Sequence, residues 1–176
     1  MMKVGILCAP GMEECEGLIV YDLLFRAGIE VKLIGLEKEI TSSHNLTFKT
    51  DLLIDEFDGK EYDCVVLPGG LPGTKNLEAD TRVQNIIDEF VKEDKYIAAI
   101  CAAPSILNHK GLLKDEKFTC FPGWECELKS SGQKAVKEGK IITGKGLGAT
   151  FEFAYEIIKA LDSEEKAQSV LKTIQY

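Results

Sequence analysis

Only two histidines occur in the 176 residues, and no Cys-x-x-Cys pair, so the chain has little from which to build a zinc site. His44 and His109 lie far apart, neither at ligand-like spacing, and no metal or cofactor is expected. Long apolar runs are also missing: none approaches the roughly 18 residues of a membrane span. Basic residues are in deficit, 21 against 29 acids, a net charge of −8. Nucleic acid and anionic membranes both select basic patches, so neither is expected as a partner. The opening "MMKVGILCAPGMEECE" has a short apolar run that ends in acids. It reads as a first strand rather than a signal peptide, and a cytoplasmic location is expected. Cysteine is not lacking: Cys8, Cys15, Cys64, Cys101, Cys120 and Cys126 are present. In a reducing compartment these are free thiols.

The length suits one domain with a substantial core. Short apolar runs at 3–9, 62–67 and 96–101 read as buried strands, and 29–36 alternates like a strand. Helical spacing marks 16–28, which ends in Arg26-Ala27-Gly28, a basic residue before a terminal glycine. Helices are also expected at 81–94, from 103 toward 113 with Pro104 in the first turn, at 149–161 and at 163–174. Residues 47–57 suggest short strands, "KFTCF" (117–121) another, and 134–144 a hairpin about Glu138-Gly139. Strands alternating with helices imply βαβ units, hence an α/β fold with a mainly parallel sheet covered on both faces.

In such a sheet, ligands bind beyond the carboxyl ends of the strands. "APGMEECEG", "PGGLPG" and "CAAP" all fall there. Cys101 sits at a strand-to-helix junction among Ala98, Ala99, Ala102 and Ala103. A sharp turn around a nucleophile demands small neighbours, and a helix N-terminus favours a thiolate. A buried structural cysteine is the ordinary alternative. Glu13, Glu14 and Glu16 open the first long helix, where acids commonly offset the helix dipole. Glu16 directly precedes the apolar stripe and is the one placed to turn inward; beside a thiolate it would be driven to protonate. The "PGG" at 68–70 is either a plain turn or, through a backbone N–H paired with that of Ala102, an oxyanion hole. "TGKGLGAT" (143–150) lacks GxGxxG spacing and is read as a structural turn.

"GMEECEG", "RAG", "YDCVVLPGG", "IAAICAAP" and "GLGATFEFA", in that order, resemble the ThiJ/PfpI superfamily, and within it the branch of the Parkinson-disease protein deglycase and its bacterial relatives. The resemblance runs from about residue 3 to 173. It implies a flavodoxin-like three-layer α/β/α sandwich, a single domain over 1–176, and a homodimer. It implies that Cys101 is the reactive, oxidation-prone cysteine and Glu16 its protonated partner. It also implies that Gly70 and Ala102 offer N–H groups to an oxyanion, and that Arg26 and Asp22 lie near the dimer interface. There are departures. Ala102 stands where the protease-like branch has a histidine, which argues against Cys–His proteolysis. "TCFP" (119–122) replaces a segment that often carries a histidine, leaving any general base open and bringing Cys120 and Cys126 toward the site as extra thiols. Leu147 stands where relatives often carry proline.

The function implied is a glutathione-independent glyoxalase or deglycase. Cys101 adds to methylglyoxal, glyoxal or their glycated adducts, and Glu16 shuttles the proton. The alternative is an oxidative-stress sensor, in which Cys101 becomes sulfenate or sulfinate, or forms a disulfide with Cys120 or Cys126. Chaperone activity has no sequence signature.

Overall fold

A computed structural model describes residues 1–176. Its strands are β1 (Lys3–Cys8), β2 (Glu30–Gly35), β3 (Glu39–Thr41), β4 (Thr47–Lys49), β5 (Leu52–Leu53), β6 (Cys64–Leu67), β7 (Tyr96–Ile100), β8 (Ala135–Glu138) and β9 (Ile141–Gly144). The helices are α1 (Glu14–Arg26), α2 (Gly73–Ala79), α3 (Thr81–Lys92), α4 (Pro104–His109), α5 (Thr150–Leu161) and α6 (Glu164–Thr173).

Side-chain alternation along the strands divides the core in two. Val4, Ile6 and Cys8 of β1, with Cys64 and Val66 of β6 and Ala98 and Ile100 of β7, meet α1, α5 and α6 on one face. Their neighbours Leu7, Val65, Leu67, Ile97 and Ala99 meet α2, α3 and α4 on the other. Both faces are therefore apolar, which is why these strands read as unbroken hydrophobic runs. The result is a three-layer α/β/α sandwich. Its seven-stranded sheet has the order β5-β2-β1-β6-β7-β9-β8, parallel throughout except for the β8–β9 hairpin. β3 and β4 form a separate antiparallel pair.

Local chemistry sets the helix ends. Gly28, at φ +79, closes α1 after Arg26, its amide bonding to the Phe25 carbonyl. The Asp80 carboxylate caps α3 through the Arg82 amide at 2.8 Å. Ser163 Oγ accepts from the Lys166 amide at 3.1 Å and starts α6; such a cap contributes about 1 kcal/mol.

The structure corrects several expectations. "KFTCF" is not a strand: the Thr119 amide donates to Thr143 Oγ1 and the Phe121 amide to the Cys101 carbonyl, so the segment crosses the strand ends instead of pairing along one. The helix after Cys101 ends at His109, because Gly111 turns the chain at φ +69. α1 begins two residues earlier than its apolar stripe suggests. α2 was not expected, since Pro72 and Gly73 at its start read as loop.

Candidate active site

Strand order reverses about β1, between β2 on one side and β6 on the other, and an open α/β sheet leaves a crevice at such a point beyond its carboxyl edge. The loop after β1, the "PGG" after β6 and the turn after β7 meet there.

Cys101 leaves β7 in a left-handed conformation, φ +66, which costs a non-glycine residue of order 1–3 kcal/mol. Two backbone bonds hold it: its amide donates to the Gly144 carbonyl at 2.9 Å and its carbonyl accepts from Phe121 at 2.8 Å. The Ala103 amide then bonds Ile100, and α4 begins at Pro104. Ala98, Ala99, Ala102 and Ala103 are all buried, so bulk at any of them would collide with the core.

Glu16 sits in the first turn of α1 and is 1% exposed. Its Oε2 accepts from the Gly69 amide at 2.9 Å. Its Oε1 is buried without a conventional hydrogen-bond partner, and the carboxyl interacts with the Cys101 thiol. Burial is the main reason that Glu16 is pushed up to about 7. The Cys101 thiol is pushed up to about 12 by burial first and by the Glu16 charge second, against the pull of the Gly70 and Ala102 amides. The expected helix-terminus preference for a thiolate is therefore present but outweighed. α4 has only six residues, and desolvation acts on the whole charge. Acid and thiol are coupled, the Glu16 charge raising the thiol and the thiol's hydrogen bond lowering the acid.

The glycines of "PGG" are required by close approach. A Cβ on Gly69 would lie 2.6 Å from both Cys101 Cβ and Glu16 Oε2; one on Gly70, at φ +87, would lie 2.2 Å from the Glu13 nitrogen. The Gly70 and Ala102 amides donate to no backbone carbonyl. Both act on the sulfur. Cys101, Glu16, Gly70 and Ala102 are thus brought together from three separate parts of the chain.

The other candidates lie elsewhere. The 119–122 segment does cross the site, but Cys120 turns into the core, where burial pushes its thiol up to about 12. Cys126 is exposed and contacts His109. All six cysteines are free. Asp22 and Arg26 form an exposed pair one turn apart on α1, at 2.7 Å.

The approach of the turn after β9 and the cluster about His44 went unread in the sequence. Gly146 brings the "GKGLGAT" turn against the site: a Cβ there would lie 3.3 Å from the Phe121 ring and 4.0 Å from Cys101 Sγ. Phe121, Pro122, Lys134, Lys145 and Leu147 line a cavity of about 380 Å³ beside it. His44 Nδ1 lies 3.4 Å from Glu13 Oε2 and 3.2 Å from Glu14 Oε1. These three have ligand atoms close enough to share a cation. A loop thirty residues downstream delivers the histidine, and no local spacing announces it.

The DJ-1/PfpI family matches residues 2–160 of the chain. Protein dj-1beta of Drosophila melanogaster is 33% identical over 174 residues, covering 95% of this chain and 93% of the relative. The glutathione-independent glyoxalase DJR-1.2 of Caenorhabditis elegans is 30% identical over 168 residues, covering 92% and 89%. Among solved structures, Toxoplasma gondii DJ-1 in oxidized form superimposes with a TM-score of 0.94 at 30% identity, covering 100% of this chain and 99% of that one.

Proposed function

The chain belongs to the DJ-1/PfpI family, and we propose that it is a glutathione-independent glyoxalase or deglycase acting on methylglyoxal, glyoxal or their adducts through Cys101. One observation carries the reading: Glu16 Oε1 is buried and unpartnered beside a sulfur that two otherwise unspent amides address. Such an oxygen is placed to take the thiol proton, since with the acid at about 7 and the thiol at about 12 the pair's remaining proton rests on the sulfur. The two N–H groups at the sulfur favour the thiolate once that proton has passed to Glu16.

In the reaction, the Cys101 thiolate adds to the aldehyde carbon of methylglyoxal and the Gly70 and Ala102 amides hold the oxyanion. Glu16 supplies and recovers protons as hydrogen moves from the aldehyde carbon to the neighbouring ketone carbon. The aldehyde carbon is oxidised to a thioester and the ketone carbon is reduced to an alcohol, so no external redox partner is needed. Water cleaves the thioester to lactate and returns the thiol. A relative named as a glutathione-independent glyoxalase supports this chemistry. Purified protein incubated with methylglyoxal and no glutathione is expected to yield lactate; consumption of the aldehyde without lactate overturns the reading.

The same geometry favours one second reading, oxidation of Cys101 to sulfinate, because the acid and two amides suit an oxidised sulfur. After mild peroxide, peptide mass should then show two added oxygens on Cys101. An unmodified Cys101 rules this out.

We also propose a homodimer built on α1. Cys15, Leu18, Ile19, Phe151 and Ile174 line an apolar depression, with Phe25 67% exposed one turn away and the Asp22–Arg26 pair at the rim. A second copy of the chain would cover this face. Light scattering is expected to give twice the chain mass, and a monomer at micromolar concentration refutes the assignment.

A further inference from the structure

Three side chains outside the Cys101 site stand in the order of a nucleophile, a base and an orienting acid. Cys126 Sγ lies 3.2 Å from His109 Nε2, and His109 Nδ1 lies 2.5 Å from Glu78 Oε1. Each comes from a different element: Glu78 from α2, His109 from the last position of α4, and Cys126 from the loop beyond Phe121. The loop is pinned to the helix, since Asn108 Nδ2 donates to the Glu125 carbonyl at 2.9 Å. α4 separates this cluster from Cys101: the cysteine precedes its first residue and His109 ends it, roughly 9 Å of helix apart.

The hydrogen-bond logic fixes the roles. An ionised Glu78 can only accept, so it takes the proton on Nδ1. Nε2 of the neutral ring is then left as an acceptor, and the group it faces is the Cys126 thiol. A nucleophile within reach of a base that a third group orients is the arrangement that activates a thiol. Cys101 differs in being half-buried, with a carboxyl rather than an imidazole at its side and its thiol pushed up to about 12. Cys126 is exposed, with its base already in place.

We propose that Cys126 is a second reactive thiol, activated by His109 and Glu78, and the site at which this protein forms mixed disulfides with small disulfides. His109 takes the thiol proton. The sulfur attacks one sulfur of the disulfide, the S–S bond breaks, and the leaving thiolate recovers the proton from the imidazolium. Cys126 is oxidised and the departing half is reduced, so electrons balance. Glu78 acts through His109 and is a positioning residue. Glu125 and Glu127 flank the cysteine, so a cationic disulfide is favoured over an anionic one.

The test exposes native protein to one equivalent of cystamine and maps the modified peptide by mass. Cys126 is expected to be labelled before any other cysteine, and faster than with the anionic glutathione disulfide. His109→Ala should slow labelling by about tenfold or more, and added imidazole should restore it. Glu78→Gln, which keeps an acceptor but loses the charge, should slow it several-fold. First labelling at Cys101 or another cysteine overturns the proposal. So does an unchanged rate in His109→Ala, or a lost rate that imidazole does not restore.

Discussion

Cys101→Ser is expected to lower lactate formation from methylglyoxal by at least ~10⁴-fold while leaving the fold in place. The hydroxyl would occupy the same turn and face the same Gly70 and Ala102 amides. Those amides stabilise a charged sulfur, but they cannot make an alkoxide accessible near neutral pH. No histidine is positioned to help, and the Glu16 carboxylate is too weak a base to activate a serine hydroxyl. Glu16 is held up to about 7 and accepts from the Gly69 amide. His44 is engaged with Glu13 and Glu14, and His109 with Glu78 and Cys126. The fold should survive because the left-handed turn is held by backbone bonds to Gly144 and Phe121, neither of which involves the sulfur. Lactate assays and thermal unfolding, run side by side, check both halves. A midpoint within ~2 °C of wild type with activity gone is the expected pair of results. Activity within tenfold of wild type would place the chemistry at another residue.

The meeting of Cys101, Glu16 and "PGG" was legible because the fold's demands leave marks in the residues that satisfy them. A strand turning abruptly into a helix needs small neighbours, and four alanines supply them. A loop that passes between a thiol and a carboxyl, and then against the Glu13 backbone, has no room for a side chain, and two glycines result. The parallel strands were legible for a related reason: burial on both faces removes polar residues from the run. What escaped has other physics. "KFTCF" carries strand-like residues, but its amides are spent on Thr143 and on the Cys101 carbonyl. α2 begins at Gly73 directly after Pro72, two residues whose propensities oppose a helix interior. Its packing overrides them: Leu77 is fully buried against the sheet. The raised thiol at Cys101 escaped too. A helix terminus can be read from sequence, whereas desolvation depends on everything that closes over the site. Glu78, His109 and Cys126 join only when α2, α4 and a distant loop pack together, and no spacing rule covers three elements.

Glu16→Gln should move activity and stability in opposite directions. The amide preserves an acceptor for the Gly69 amide and a donor toward the sulfur, but it cannot pass a proton. Turnover is expected to fall by roughly 10²–10⁴-fold, the usual contribution of a positioned acid–base group. Stability follows from the raised carboxyl. In the unfolded chain the acid ionises near 4.5, and in the folded protein near 7. Between those values the native state holds a proton that the unfolded state has released, so wild-type stability declines as pH rises through this window. The full shift amounts to about 3 kcal/mol. Glutamine has no such proton. The stability of the variant relative to wild type should therefore increase by about 3 kcal/mol between pH 4 and pH 8, whatever the fixed cost of exchanging an acid for an amide. Urea unfolding of both proteins at the two pH values measures this difference directly. Parallel pH dependence in the two proteins would mean that Glu16 ionises as freely in the fold as outside it. The shared proton on which the proposed chemistry rests would then not exist.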